Sequence, residues 1–157
     1  MLSAQSLDVS FVEAPLEVEQ ALWRVLFAAW VERKKPDFSG VVVVSFVDQG
    51  EMTDLYYRSF GKRQSTDVLS FKYTKSRPEE MGGSVGEIVI CLDVARANAA
   101  KLHVHLSNEL MTLFVHGLLH LLDLDHATDV ERAHFEAETR AIMGVVKQEP
   151  APLWLLS

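Results

Sequence analysis

A chain of 157 residues with 48% hydrophobic content is long enough to bury one core, and the expectation is a single domain over residues 1–157. Its apolar runs, such as 41–44 and 21–31 with Arg24 inside, fall far short of the roughly 18 residues of a membrane span, and the acidic start (Asp8, Glu13, Glu17, Glu19) is no secretory signal; a cytoplasmic protein with no membrane partner is expected. The net charge of −7 argues weakly against a polyanionic ligand, while one cysteine, Cys91, excludes an internal disulfide and reads as a buried strand thiol.

In chain order, residues 6–12 alternate as a short strand, and Pro15 opens an amphipathic helix to about Lys34 with Leu16, Val18, Ala21, Leu22, Val25, Leu26 and Ala29 as its buried stripe. Residues 41–47 are β-branched and bounded by turn residues, which predicts a buried strand. A short helix over 53–60 then feeds a stretch of unusual charge. Between Arg58 and Arg77 stand six basic residues (Arg58, Lys62, Arg63, Lys72, Lys75, Arg77) and one acid, Asp67, a local net of +5 that leaves −12 for the rest. Tyr56, Tyr57, Phe71 and Tyr73 read as core residues rather than base-stacking platforms. Strands are predicted over 68–73 and 85–92, separated by a charged loop at 76–84 rich in turn formers. Asp93 is expected to cap a helix through Leu102, and Ser107 the next helix, with Glu109 in its first turn. A last helix covers about 129–143, and the tail through Pro150, Pro152 and Trp154 is expected against the body. Four strands and several helices make this an α+β chain, read as a mixed four-stranded sheet packed against helices.

The stretch 116–126, HGLLHLLDLDH, is the most informative. A helix turns 100° per residue, so His116 and His120 lie one turn apart on one face and can share an ion. Leu110, Leu113, Phe114, Leu118 and Leu121 form the buried stripe of that central helix, with the two histidines at its edge. His126 returns to the same ion if the helix ends near Leu122 and the chain reverses, which Asp123 permits by entering the left-handed region. Three neutral imidazoles leave Zn²⁺ an open position, as in catalytic sites. His103, His105 and His134 lack such spacing and read as surface or packing residues. The geometry is zincin-like, but zincin peptidases carry a glutamate after the first histidine as general base, and Gly117 stands there.

The run 116–126, together with Tyr57-Arg58, STDVLSF at 65–71 and GEIVI at 86–90, resembles the YbeY family of rRNA maturation factors, with order and spacing covering about 41–143. The resemblance implies a single zincin-like domain with the metal-binding HxxxH on a central helix. It also implies a zinc-dependent, single-strand-directed endoribonuclease acting in 3′-end maturation of 16S rRNA, small-subunit assembly and ribosome quality control. The family's zinc histidines fall on His116, His120 and His126, and its functional arginine on Arg58. The implied scheme has one Zn²⁺ per chain at these histidines, His116 and Arg58 catalytic, Arg58 steadying the charge on phosphorus, and the basic island holding flanking RNA backbone. Asp67 and Ser70 rank below Arg58 as candidates. Partners would be single-stranded RNA, 16S rRNA and the small ribosomal subunit, with a ribosomal protein or assembly GTPase beside them. The chain departs from the family pattern at Asp123-Leu124, where Gly-Tyr is usual, at Glu87 for an aspartate, and at Ser65 for a proline. Two other classes stay open: an assembly factor whose zinc is structural, and a hydrolase of another ester or amide.

Overall fold

The computed structural model describes residues 6–73 and 84–156. Four strands, β1 (Leu7–Val12), β2 (Gly40–Val47), β3 (Val68–Lys72) and β4 (Ser84–Cys91), form one mixed sheet in the order β1-β2-β4-β3. The first three in that order are parallel, and β3 runs antiparallel to β4. Parallel neighbours need a crossover, which α1 (Gln20–Lys34) supplies between β1 and β2. Helix α2 (Gln49–Phe60) leads from β2 to β3, and α3 (Leu92–Leu102), α4 (Leu106–His120) and α5 (Asp129–Gly144) follow β4. The α+β expectation of a mixed four-stranded sheet with helices is therefore met.

Alternation along the strands gives the sheet two faces. Val42, Val44, Phe46, Ile88 and Ile90 join the main core with α1, α4 and α5, while Val89 and Cys91 form a smaller cluster with Met52 of α2. The Cys91 thiol is buried, as expected. Trp23 ties the main core together, stacked on Phe114 at 4.5 Å and 5.8 Å from Phe46.

Helix α1 differs from its expectation. The Val18 amide donates to the Pro15 carbonyl in a turn, Leu16 is fully exposed, and the helix starts afresh at Gln20. That break resets the phase, so the buried stripe is Trp23, Leu26, Phe27 and Trp30, and Ala21 and Val25 point outward. Asp93 is not the cap of α3, which begins at Leu92 without a side-chain cap; its carboxylate instead accepts the Gln49 amide at 2.8 Å, adding charge to the N-terminus of α2 where Asp48 already caps Glu51. Ser107 likewise lies inside α4, whose N-cap is His105. Tyr57 is about half exposed rather than core, with the Arg63 guanidinium 5.4 Å from its ring centre. The loop at 76–84 lies outside the described residues except for Ser84.

Candidate functional site

Helix α4 is buried on nearly every side, and only the first three residues after its N-cap, together with His116 and His120, are partly exposed. Its close seat on the sheet depends on Gly117. A Cβ there would stand 2.7 Å from Ile88 Cγ2, and Ser70 of β3 donates its hydroxyl to the Gly117 carbonyl at 3.0 Å. Position 117 therefore faces the sheet so closely that even a methyl would force Ile88 to shift, and the absent zincin glutamate has no room here.

The helix ends at His120 and the chain reverses. The Asp123 amide donates to the His120 carbonyl at 2.9 Å, with Asp123 at φ +63°, the left-handed conformation expected of it. His120 Nδ1 bonds the Leu124 carbonyl at 2.9 Å, a donation that leaves its Nε2 lone pair available. His126 follows, with its ring centre 5.3 Å from that of His120. All three histidines gather on the buried Phe135 of α5, at centroid distances of 4.8, 5.0 and 5.1 Å for His116, His120 and His126. Burial holds the pKa of His116 down at about 3, reinforced by repulsion from His120 and His126. Burial and then His126 also lower His120. Neutral imidazoles are the form a metal takes. Among the described residues, no group of three or more His, Cys, Asp or Glu side chains is placed so that it could hold a metal ion.

These histidines line a cavity of about 780 Å³, which also takes in Asp67, Asn98, Arg132, Arg140 and the C-terminal tail. Asp67 precedes β3, its carbonyl accepting the Cys91 amide at 2.9 Å, so the strand pair fixes it. Burial pushes its carboxyl up, against the backbone amides of Val68 and Asp67, the Thr66 hydroxyl and the charge of His120. Behind it, Asn98 of α3 donates to both Asp67 and Glu109, and Glu109 is fully buried with Oε1 unpartnered.

The basic island is elsewhere. Arg58 is exposed on the last turn of α2, and neither it nor Lys62, Arg63 or Lys72 lines the cavity. Arg63 pairs with Asp54 at 2.9 Å, and Lys72 reaches Asp123 at 3.6 Å, which puts the end of β3 beside the turn that follows α4. Lys75 and Arg77 lie outside the described residues. The cations in the cavity are Arg132 and Arg140, missed in the sequence although they stand eight residues apart, each four from Glu136, on one face of α5, the face that carries Phe135. His103, His105 and His134 are exposed, as expected.

A family model described as endoribonuclease YbeY matches residues 9–147. The chain belongs to the YbeY family. Relatives named Endoribonuclease YbeY include one from Beutenbergia cavernae, 31% identical over 83% of this chain and 91% of its own, and one from Clavibacter michiganensis, 32% identical over 87% and 94%. A third, from Elusimicrobium minutum, is 35% identical over 75% of this chain and 85% of its own. A Thermotoga maritima protein solved in solution shares the fold at a TM-score of 0.55, with 23% identity over 87% of this chain and 89% of that one. Residues 148–157 of this YbeY-family chain lie beyond the match to the family model, yet several of them wall the cavity. No described helix is long and apolar enough to cross a membrane.

Proposed function

We propose that this YbeY-family chain is a zinc-dependent endoribonuclease that cuts single-stranded RNA, acting in the cytoplasm on the 3′ region of 16S rRNA during small-subunit assembly and rRNA quality control. The observation that carries the reading is the gathering of three histidines, two of them held neutral, beside the half-buried Asp67 carboxylate in one cavity. The donor set suits zinc, which His116, His120 and His126 would hold through their ring nitrogens. Zinc on these nitrogens would supply Lewis-acid charge to the phosphodiester and acidify the attacking hydroxyl.

The remaining work falls to the chain itself. Gly117 cannot supply a base, so Asp67 takes that part: its carboxylate accepts the proton of the attacking hydroxyl as that oxygen bonds to phosphorus, while the bond from phosphorus to the departing ribose oxygen breaks and that oxygen leaves with the electron pair and takes a proton from water. The Leu124 carbonyl holds the tautomer and ring of His120. Arg58 and Lys62 carry no ion pair among the described residues and hold flanking phosphates, which positions the strand without reading sequence. Target choice then rests on RNA shape and on the small subunit with its ribosomal-protein or GTPase partners. Against a peptidase stands the 2.7 Å approach at Gly117, which excludes the glutamate such chemistry uses.

The test is metal analysis with an RNA cleavage assay on wild type, His116→Ala, Asp67→Asn and Arg58→Ala, using defined single- and double-stranded RNAs. One zinc per chain, cleavage of single strands, and its loss in His116→Ala and Asp67→Asn are expected. Arg58→Ala should keep fold and metal while losing most turnover. Contacts by three to five basic residues would give a log–log salt slope of roughly −2 to −3.5. Cleavage that survives loss of His116 would leave the zinc structural and the chain an assembly factor.

A further inference from the structure

Two kinds of partner hold the Asp67 carboxylate. Its own stretch of chain supplies the Val68 and Asp67 amides and, at 3.5 Å, the Thr66 hydroxyl. The other partner comes from across the fold: Asn98 of α3, whose Nδ2 lies 3.4 Å from Asp67 Oδ2. The local donors fasten the carboxylate to its own strand end, whereas Asn98 ties it to the helices. The Asn98 amide is set in turn by Glu109, whose Oε2 lies 3.3 Å from the same nitrogen. A side-chain amide has a donating end and an accepting end of nearly the same shape, so its orientation follows from its partners. Here two carboxyls converge on the nitrogen, which has one hydrogen for each. Turning the oxygen toward Asp67 would lose both bonds.

A carboxyl in the first turn of a helix ordinarily serves the helix dipole from the surface. Glu109 is instead fully buried with Oε1 unpartnered, a placement that costs stability and that an apolar residue of like size would avoid. Among the described residues its carboxyl has one hydrogen-bond donor, Asn98, and Asn98 stands with Asp67 in the cavity lining beside the three histidines. Glu109 also lies on α4, seven residues before His116, so the helix that presents two of the histidines carries the group that orients Asn98. Resting on the endoribonuclease reading, in which Asp67 takes the proton, we propose that Asn98 and Glu109 are positioning residues: Glu109 orients the Asn98 amide, and Asn98 holds the Asp67 carboxylate in place beside the histidines. Acting through Asp67 rather than on the strand, the pair bears on the chemical step and leaves RNA binding to other groups.

The test is kinetics of the zinc-loaded protein on a short single-stranded oligoribonucleotide, with zinc content and thermal melts of each variant. Asn98→Ala and Glu109→Met should each lower kcat about tenfold or more while KM and zinc content stay at the wild-type values. Asn98→Ala leaves the Glu109 carboxyl without its donor and should melt lower. Glu109→Met removes that buried carboxyl and fills its space, so it should melt no lower than wild type and separates a positioning role from a structural one. Glu109→Gln keeps an oxygen for the Asn98 amide and should restore kcat. A readout independent of activity is the pair of Asn98 Hδ2 signals in isotope-labelled protein: both should lie downfield, one returning upfield in Glu109→Met and the other in Asp67→Ala. RNA cut at the wild-type kcat by Asn98→Ala and Glu109→Met would overturn the positioning role and leave the nuclease reading standing. A kcat that falls as far in Glu109→Gln as in Glu109→Met, or falls only together with zinc content and melting temperature, would overturn it as well. Wild-type protein that cuts no RNA would overturn the nuclease reading, and the amide signals would then decide the positioning of Asp67: the two separate responses would support it, and signals indifferent to Glu109→Met would overturn it.

Discussion

Asp67 and Glu109 hang on one amide: Asn98 Nδ2 lies 3.4 Å from Asp67 Oδ2 and 3.3 Å from Glu109 Oε2. Two carboxylates bridged by one donor in a buried place do not ionise independently. Burial, opposed by the bond from Asn98 and helped by the charge of Asp67, raises the Glu109 pKa to about 7.

A carboxyl whose folded pKa lies above its unfolded value binds its proton more tightly in the folded state, so stability falls as pH rises from about 4.5 to about 7. Glu109→Gln should therefore leave stability nearly unchanged at pH 4 and raise it by on the order of 2–3 kcal/mol at pH 8. Thermal melts of both proteins across that range are the check. A constant difference at every pH would mean the carboxyl is not strained by ionisation.

The opposite sign holds at Glu138, where the Arg33 side chain, bonding at 3.0 and 2.9 Å, and Lys34 at 3.0 Å bring the carboxyl down to about 2. This group contributes stability above pH 4.5 that is lost as pH falls toward 2. Arg33 is half exposed, so solvent discounts the full linkage value, and Glu138→Gln should cost about 1–2 kcal/mol at pH 7. Denaturant titrations should show the two proteins converging near pH 2; a gap that persists there would point to packing instead.

Gly117→Ala should destabilise by about 1–3 kcal/mol, because its methyl would meet Ile88 Cγ2 at 2.7 Å and must push α4 off the sheet. His116 and His120 flank the position, so metal affinity should drop as well. Adding Ile88→Ala to make room should cost less than the two single changes combined. Strict additivity in that cycle would show that the contact is relieved elsewhere.

Asp123→Gly should leave stability unchanged or raise it by up to about 1 kcal/mol, since glycine adopts φ +63° without penalty. The side chain it removes is largely exposed, and among the described residues its one ion pair is the 3.6 Å contact with Lys72, which is worth little. A clear fall in melting temperature would show that the carboxylate braces the turn.

What the sequence determined by itself was everything set by backbone periodicity. Four-residue spacing alone puts His116 and His120 on one face, alternation and β-branching make β2 and β4 strands, and Asp123 alone marks the reversal. Local signals failed where the chain changed phase without changing composition, as in the turn at Pro15 that rotated the buried stripe of α1 onto Trp23, Leu26, Phe27 and Trp30. Tertiary structure decided which polar groups meet. Asp67, Asn98 and Glu109 come from the start of β3, from α3 and from α4, and they converge because β4 lies between β2 and β3 and carries the chain directly into α3. Arg132, Arg140 and the tail reach the histidines because α5 and residues 149–156 fold back over α4. No spacing rule contains that convergence, since separations of 11 to 41 residues are closed by the packing of elements and not by the geometry of any one of them.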